Sequence, residues 1–209
     1  MAIDPKKQAR CIFEYIYFAR LDSKIDNISV YEARIRGGAT LAKTYPVDAD
    51  LVCGVPDSGL ASAKGYSEES GIPFGLAFHK NSYVGRTFIK PTQKERESSV
   101  KIKLSVLESV VKGKRIVLVD DSIVRGTTIS NLITMLRKAG ATEVHVRISS
   151  PPFLYPCYFG TDVPSNKQLI ASSHSTEEIR QQIGADSLGY MPIEELQNMV
   201  GDLPICRAC

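Results

Sequence analysis

Two strand-like runs, RIVLV at 115–119 and EVHVRI at 143–148, flank a segment with helical spacing, and this arrangement restricts the fold more than any other feature of the chain. In ISNLITMLRKAG, Ile129, Leu132, Ile133 and Leu136 recur on one face, Arg137 and Lys138 fall in the last turn, and Gly140 supplies the stop. Strand, loop, helix and strand in that order form a βαβ unit, whose two strands lie parallel in one sheet. Further strand-like runs, LVCGV (51–55) and IPFGLAF (72–78), alternate with helical stretches in the same way. The expectation is an α/β fold with a mainly parallel central sheet flanked by helices. A chain of 209 residues fits one domain of this kind, and residues 1–209 contain no internal repeat, low-complexity tract or evident linker.

Between RIVLV and the helix stands DDSIVRGTT (120–128). Ligands of open α/β sheets sit outside the carboxyl ends of the strands, where a loop leading into a helix offers unpaired N–H groups and the positive end of a dipole. The run Ser122, Ile123, Val124, Arg125, Gly126, Thr127 and Thr128 suits a phosphate: the glycine lets the backbone come close, the hydroxyls donate, and the arginine adds charge. Asp120 and Asp121, just before it, repel each other and contribute nothing to a core. They are placed to accept hydrogen bonds from sugar hydroxyls, directly or through Mg²⁺. The plainer reading is an acidic turn followed by a Ser/Thr helix cap. A second loop, GVPDSG (54–59), also follows an apolar strand and precedes a helical run, so Asp57, Ser58 and Gly59 can belong to another anion site. Taken alone, that loop reads equally well as an ordinary turn.

The net charge of +3 is too small and too dispersed for nucleic acid, although a polyanionic small molecule stays open. No apolar run reaches membrane length, and the start MAIDPKKQAR has no apolar leader, which points to no membrane partner and a cytoplasmic address. Five cysteines in such a chain argue against a disulfide framework and favour a metal site. Cys206 and Cys209 close the sequence as CRAC, while Cys11 and Cys157 each stand among aromatic residues. A lone CxxC can be redox-active, zinc-binding or inert, and single cysteines are by default small buried hydrophobes, the simplest reading of Cys53.

VLVDDSIVRGTT resembles the ribose-5-phosphate motif of the type I phosphoribosyltransferases, which use phosphoribosyl pyrophosphate (PRPP). CIFEYIYFAR (11–20), GVPDSG, HKNSYVGRTFIKPTQKER (79–96) and SPPFLYPCYFG (150–160) are similar to the phosphoribosyltransferase half of the glutamine PRPP amidotransferases, and the likeness covers nearly the whole chain. The resemblance implies displacement of pyrophosphate from C1 of PRPP by ammonia, giving phosphoribosylamine at the start of purine synthesis. It implies Mg²⁺ at Ser58, Asp120 and Asp121, and a catalytic loop in which Lys80, Tyr83 and Arg86 stabilise the departing pyrophosphate. It implies that Cys11, Cys157, Cys206 and Cys209 hold a 4Fe–4S cluster, with Zn²⁺ the less favoured occupant of four thiolates. Homo-oligomers and feedback inhibition by purine nucleotides are implied as well.

Members of that family begin with a glutaminase domain, whereas here Met1 leads almost at once into CIFEYIYFAR. The expectation is a single phosphoribosyltransferase domain without its own glutaminase, using free ammonia or a glutaminase on a separate polypeptide. A PRPP-binding regulator without catalysis and a nucleobase salvage enzyme are the rival readings. Against the second, neither CIFEYIYFAR nor residues 157–209 suggest a hood over a base.

Overall fold

The computed structural model describes residues 8–81, 104–157, 165 and 168–208. Helix α1 (Val30–Thr44) starts at Ser29, whose side chain accepts a hydrogen bond from the Glu32 N–H. Strand β1 (Leu51–Gly54) leads through a short loop into α2 (Gly59–Ser70), which Gly71 ends in the left-handed conformation. Strand β2 (Arg115–Asp120), helix α3 (Thr127–Lys138) and strand β3 (Glu143–Ile148) complete the expected βαβ unit. Helix α4 (Thr176–Ile183) then leads into β4 (Ser187–Tyr190).

The four strands form one sheet in the order β1-β2-β3-β4, parallel throughout. Successive side chains of a strand point to opposite faces, and here both faces are covered. Ile116, Leu118, Val144 and Val146 pack with Leu132, Leu136, Ile179 and Ile183 of α3 and α4. Val52, Val117 and Val119 pack on the other side with Leu41 of α1 and Tyr66 of α2. That two-sided burial is why β1 and β2 read as nearly continuous apolar runs, whereas β3 alternates its apolar residues with the buried His145 and Arg147.

The run at 72–78 departs from expectation. Phe74 makes only an isolated bridge to Val52, and the strand that follows, Phe78–Lys80, pairs antiparallel with Leu104–Val106 outside the parallel sheet. Pro73 lacks a donor, and Gly71 and Gly75 break the run on either side. Conversely, β4 escaped the sequence reading because SLGY, at the sheet edge, carries a serine and a glycine in place of an apolar run. Among the described residues no helix is long and apolar enough to cross a membrane.

Candidate functional site

Because β1 and β2 are parallel neighbours, the loops after them emerge side by side. Gly59 makes their approach possible. A Cβ built on it would lie 2.4 Å from the Val119 carbonyl oxygen, so only glycine lets α2 begin against β2. Gly59 is itself buried, and its N–H donates to the Val55 carbonyl at 2.9 Å. The adjacent Ser58 Oγ donates to Asp121 Oδ2 at 2.5 Å, and Ser122 Oγ donates to Asp121 Oδ1, also at 2.5 Å.

The two carboxylates differ in environment. Asp120, the last residue of β2, is 8% exposed and accepts from the Asp121 N–H through Oδ1 at 2.9 Å. Burial, with Asp121's charge next in size, pushes its carboxyl well above the ordinary range. Asp121 is half-buried and keeps both oxygens among serine hydroxyls. Their backbone carbonyls accept from Ser149 and Ser150, which fixes the pair against the chain leaving β3.

Gly126, at φ +79°, turns the chain into α3, and no side chain caps the helix's first turn. The N–H groups there are left for a ligand. Thr127 and Thr128 are exposed, whereas Ile123 is buried and anchors the loop in the core. Arg125 reaches Gln168, and the Ile170 N–H donates to the Val124 carbonyl. Lys80 forms an ion pair with Asp57, which follows a cis peptide bond after Pro56. Asp57, Ser58, Lys80, Asp120, Asp121 and the whole stretch 122–128 line one cavity of about 1120 Å³. Tyr83 and Arg86 lie outside the described residues.

One wall went unforeseen. Residues Glu14–Phe18 form a π-helical turn that buries Tyr15 and Ile16 while leaving Tyr17 49% and Phe18 40% exposed. Phe13, Tyr17 and Phe18 touch one another and line the same cavity as the phosphate loop, with Arg34 of α1 beside them. CIFEYIYFAR, set aside as a hood, thus forms an aromatic side of the site. The irregular turn is what brings Tyr17 and Phe18 outward.

The cysteines are partly assembled. A two-residue parallel bridge sets Arg10–Cys11 against Ile205–Cys206, with Cys11 and Cys206 in register. Burial pushes the Cys11 thiol up. Cys206 is exposed, Cys157 is half-buried, and Cys209 lies outside the described residues. Among the described residues no three His, Cys, Asp or Glu side chains gather as a metal site. Cys53 is fully buried in β1 and its thiol is pushed up to about 12, as befits a core residue.

A parallel sheet in which β2 ends in a carboxylate pair and a glycine-turned loop, beside the loop that follows β1, defines an α/β protein with its candidate site at the carboxyl ends of adjacent strands. The phosphoribosyl transferase domain family matches residues 26–149, and the chain belongs to that family. It has the type I phosphoribosyltransferase fold. The amidophosphoribosyltransferase of Methanocaldococcus jannaschii is 57% identical over 201 residues, which cover 96% of this chain and 43% of that protein. The solved glutamine PRPP amidotransferase from B. subtilis, complexed with ADP and GMP, is 56% identical, covers 92% of this chain and 42% of its own, and superposes with a TM-score of 0.84. The chain thus spans less than half the length of these relatives.

Proposed function

We propose that this chain transfers the phosphoribosyl group of PRPP to ammonia, releasing pyrophosphate and 5-phosphoribosylamine, the opening step of purine synthesis. The observation that carries the reading is that one cavity gathers a phosphate loop, a hydroxyl-facing carboxylate and a second loop with a lysine. These match the three anionic and polar parts of PRPP. The 5-phosphate takes the N–H groups and hydroxyls of 122–128, Asp120 and Asp121 face the ribose hydroxyls, and the loop at Asp57 and Ser58 takes pyrophosphate. As the nitrogen lone pair forms its bond to C1, the C1–O bond breaks and its electron pair leaves with pyrophosphate; the added nitrogen then gives up a proton to solvent. Lys80, joined by Tyr83 and Arg86, stabilises the leaving charge. Neutral ammonia is already a nucleophile, so no strong base is required.

Oxygen donors of Ser58, Asp120 and Asp121 suit Mg²⁺, a hard cation that would neutralise charge on the bound diphosphate. Cys11, Cys157, Cys206 and Cys209 would supply thiolates to a 4Fe–4S cluster, with Zn²⁺ the alternative; the register of Cys11 with Cys206 supports a shared site. Phosphoribosyl transfer moves no electrons, so the cluster's role is to join distant parts of the chain. Purine nucleotides are inhibitors that enter by their 5-phosphate, with the base toward Tyr17 and Phe18. A single domain acting in the cytoplasm as a homo-oligomer, with glutamine used only when a glutaminase is supplied, completes the proposal.

The test is pyrophosphate release from PRPP with Mg²⁺ and ammonium as sole nitrogen source. Tight PRPP binding without release would support the regulator instead, and no binding would overturn both. Anaerobic reconstitution with iron and sulfide, read by absorption and metal analysis, tests the cluster; stoichiometric zinc without thiolate-to-iron absorption would replace it.

A further inference from the structure

Arg34 is a buried cation without a bonded counterion among the described residues. It is 4% exposed on α1, and its guanidinium spends three hydrogen bonds on main-chain carbonyls: Nε on Tyr15 at 2.8 Å, and Nη2 on Tyr17 at 3.1 Å and Ala19 at 2.9 Å. These bonds hold the turn that brings Tyr17 and Phe18 to the cavity. Carbonyl dipoles satisfy donors but do not neutralise a charge, and a buried charge left unneutralised is costly. Among the described residues Arg34 forms no salt bridge, although Asp121 lies near enough for its charge to offset part of the burial. Its Nη1 has no hydrogen-bond partner among the described residues, and the side chain stands in the wall of the 1120 Å³ cavity.

We infer that Arg34 is a further substrate-binding residue, offering Nη1 to an anionic oxygen of PRPP. The inference rests on the proposed use of PRPP. A guanidinium pinned on two of its three nitrogens is already oriented, so the remaining N–H groups meet the ligand with little loss of side-chain freedom. It suits an anion better than a neutral hydroxyl, because the anion supplies the counterion that the fold withholds. Lysine at this position would keep the charge but could not span three carbonyls and a ligand oxygen together.

The experiment measures binding of PRPP, ribose 5-phosphate and pyrophosphate, each with Mg²⁺, to the wild-type chain and to Arg34→Lys and Arg34→Gln, with melting temperatures recorded alongside. The expected result is a loss of about tenfold or more in PRPP affinity, shared by only one of the two part-ligands, which identifies the end of PRPP that is contacted. Equal losses for all three ligands in step with a lower melting temperature, or no loss at all, would overturn the inference and leave Arg34 as a scaffold for residues 15–19. If both variants fail to fold, a crystal structure of the wild-type chain with PRPP and Mg²⁺ decides the matter: Nη1 within about 3.2 Å of a ligand oxygen supports the contact, and a greater separation refutes it. A wild-type chain that binds none of the three ligands would instead defeat the proposed function.

Discussion

Ser58 donates its hydroxyl to Asp121 at 2.5 Å, and this one bond ties together two loops that are 63 residues apart in sequence. It joins the loop assigned to pyrophosphate to the carboxylate assigned to ribose, so the protein's own contacts position the two halves of the proposed site against each other.

Removing that tie should loosen substrate binding more than the fold. Hydrogen bonds to charged groups contribute about 1.5–3 kcal/mol, so Ser58→Ala is expected to weaken PRPP binding by about tenfold or more. The melting temperature should change little, because Asp121 retains Ser122 as a donor. Titration calorimetry with PRPP and Mg²⁺ checks this, and an unchanged affinity would show that the bond belongs to the ligand-free state alone.

Asp120 predicts a pH dependence of definite sign. Its carboxyl is raised in the folded state by burial and by Asp121, so folding favours its protonated form. The associated stability is fully present below the unfolded value of about 3.9 and is lost as pH rises through the raised folded value. Asp120→Asn removes this loss. Its melting temperature relative to wild type should therefore climb as pH increases from about 4, and parallel curves would contradict the assignment. In the double variant with Asp121→Asn, PRPP binding should disappear while the fold persists.

The parts of this molecule that were legible in the sequence are those built from repetition. The periodic face of Ile129, Leu132, Ile133 and Leu136 marked α3, and the doubly buried strands β2 and β3 appeared as strand-like runs at nearly their true bounds. The loop at 122–128 was legible as a candidate site because it is contiguous: its residues line one cavity in sequence order. The aromatic wall and Arg34 were not. Their relation depends on a guanidinium reaching carbonyls 15 to 19 residues earlier in the chain, and hydrogen bonds to main-chain carbonyls leave no trace in residue identities. Nor did the sequence show that the closeness of the Val119 carbonyl requires a glycine at position 59, since that is a contact between distant parts of the chain.

Lys80 is expected to act in turnover. It is paired with Asp57, and in the proposed reaction it exchanges that carboxylate for the leaving group. An interaction gained chiefly in the transition state lowers the rate more than the affinity when it is lost. Lys80→Ala should slow pyrophosphate release by about 100-fold or more, the scale of removing one well-placed electrostatic contact. A change confined to PRPP affinity would make Lys80 a binding residue.

The proposed inhibition by purine nucleotides can be separated from substrate binding at the aromatic wall. PRPP has no base, whereas a purine nucleotide placed with its 5-phosphate at 122–128 extends a planar ring beyond the ribose. Tyr17 and Phe18 line the same cavity and expose 49% and 40% of their surfaces. Base stacking on an aromatic side chain is worth about 1–3 kcal/mol. Replacing both residues by leucine keeps an apolar surface but removes the flat faces, so inhibition by GMP should weaken by about tenfold. Ribose 5-phosphate lacks the base and should bind as before, which controls for damage to the phosphate loop. Equal weakening of GMP and ribose 5-phosphate would mean that the turn at 14–18 had collapsed, and unchanged GMP inhibition would place the base elsewhere.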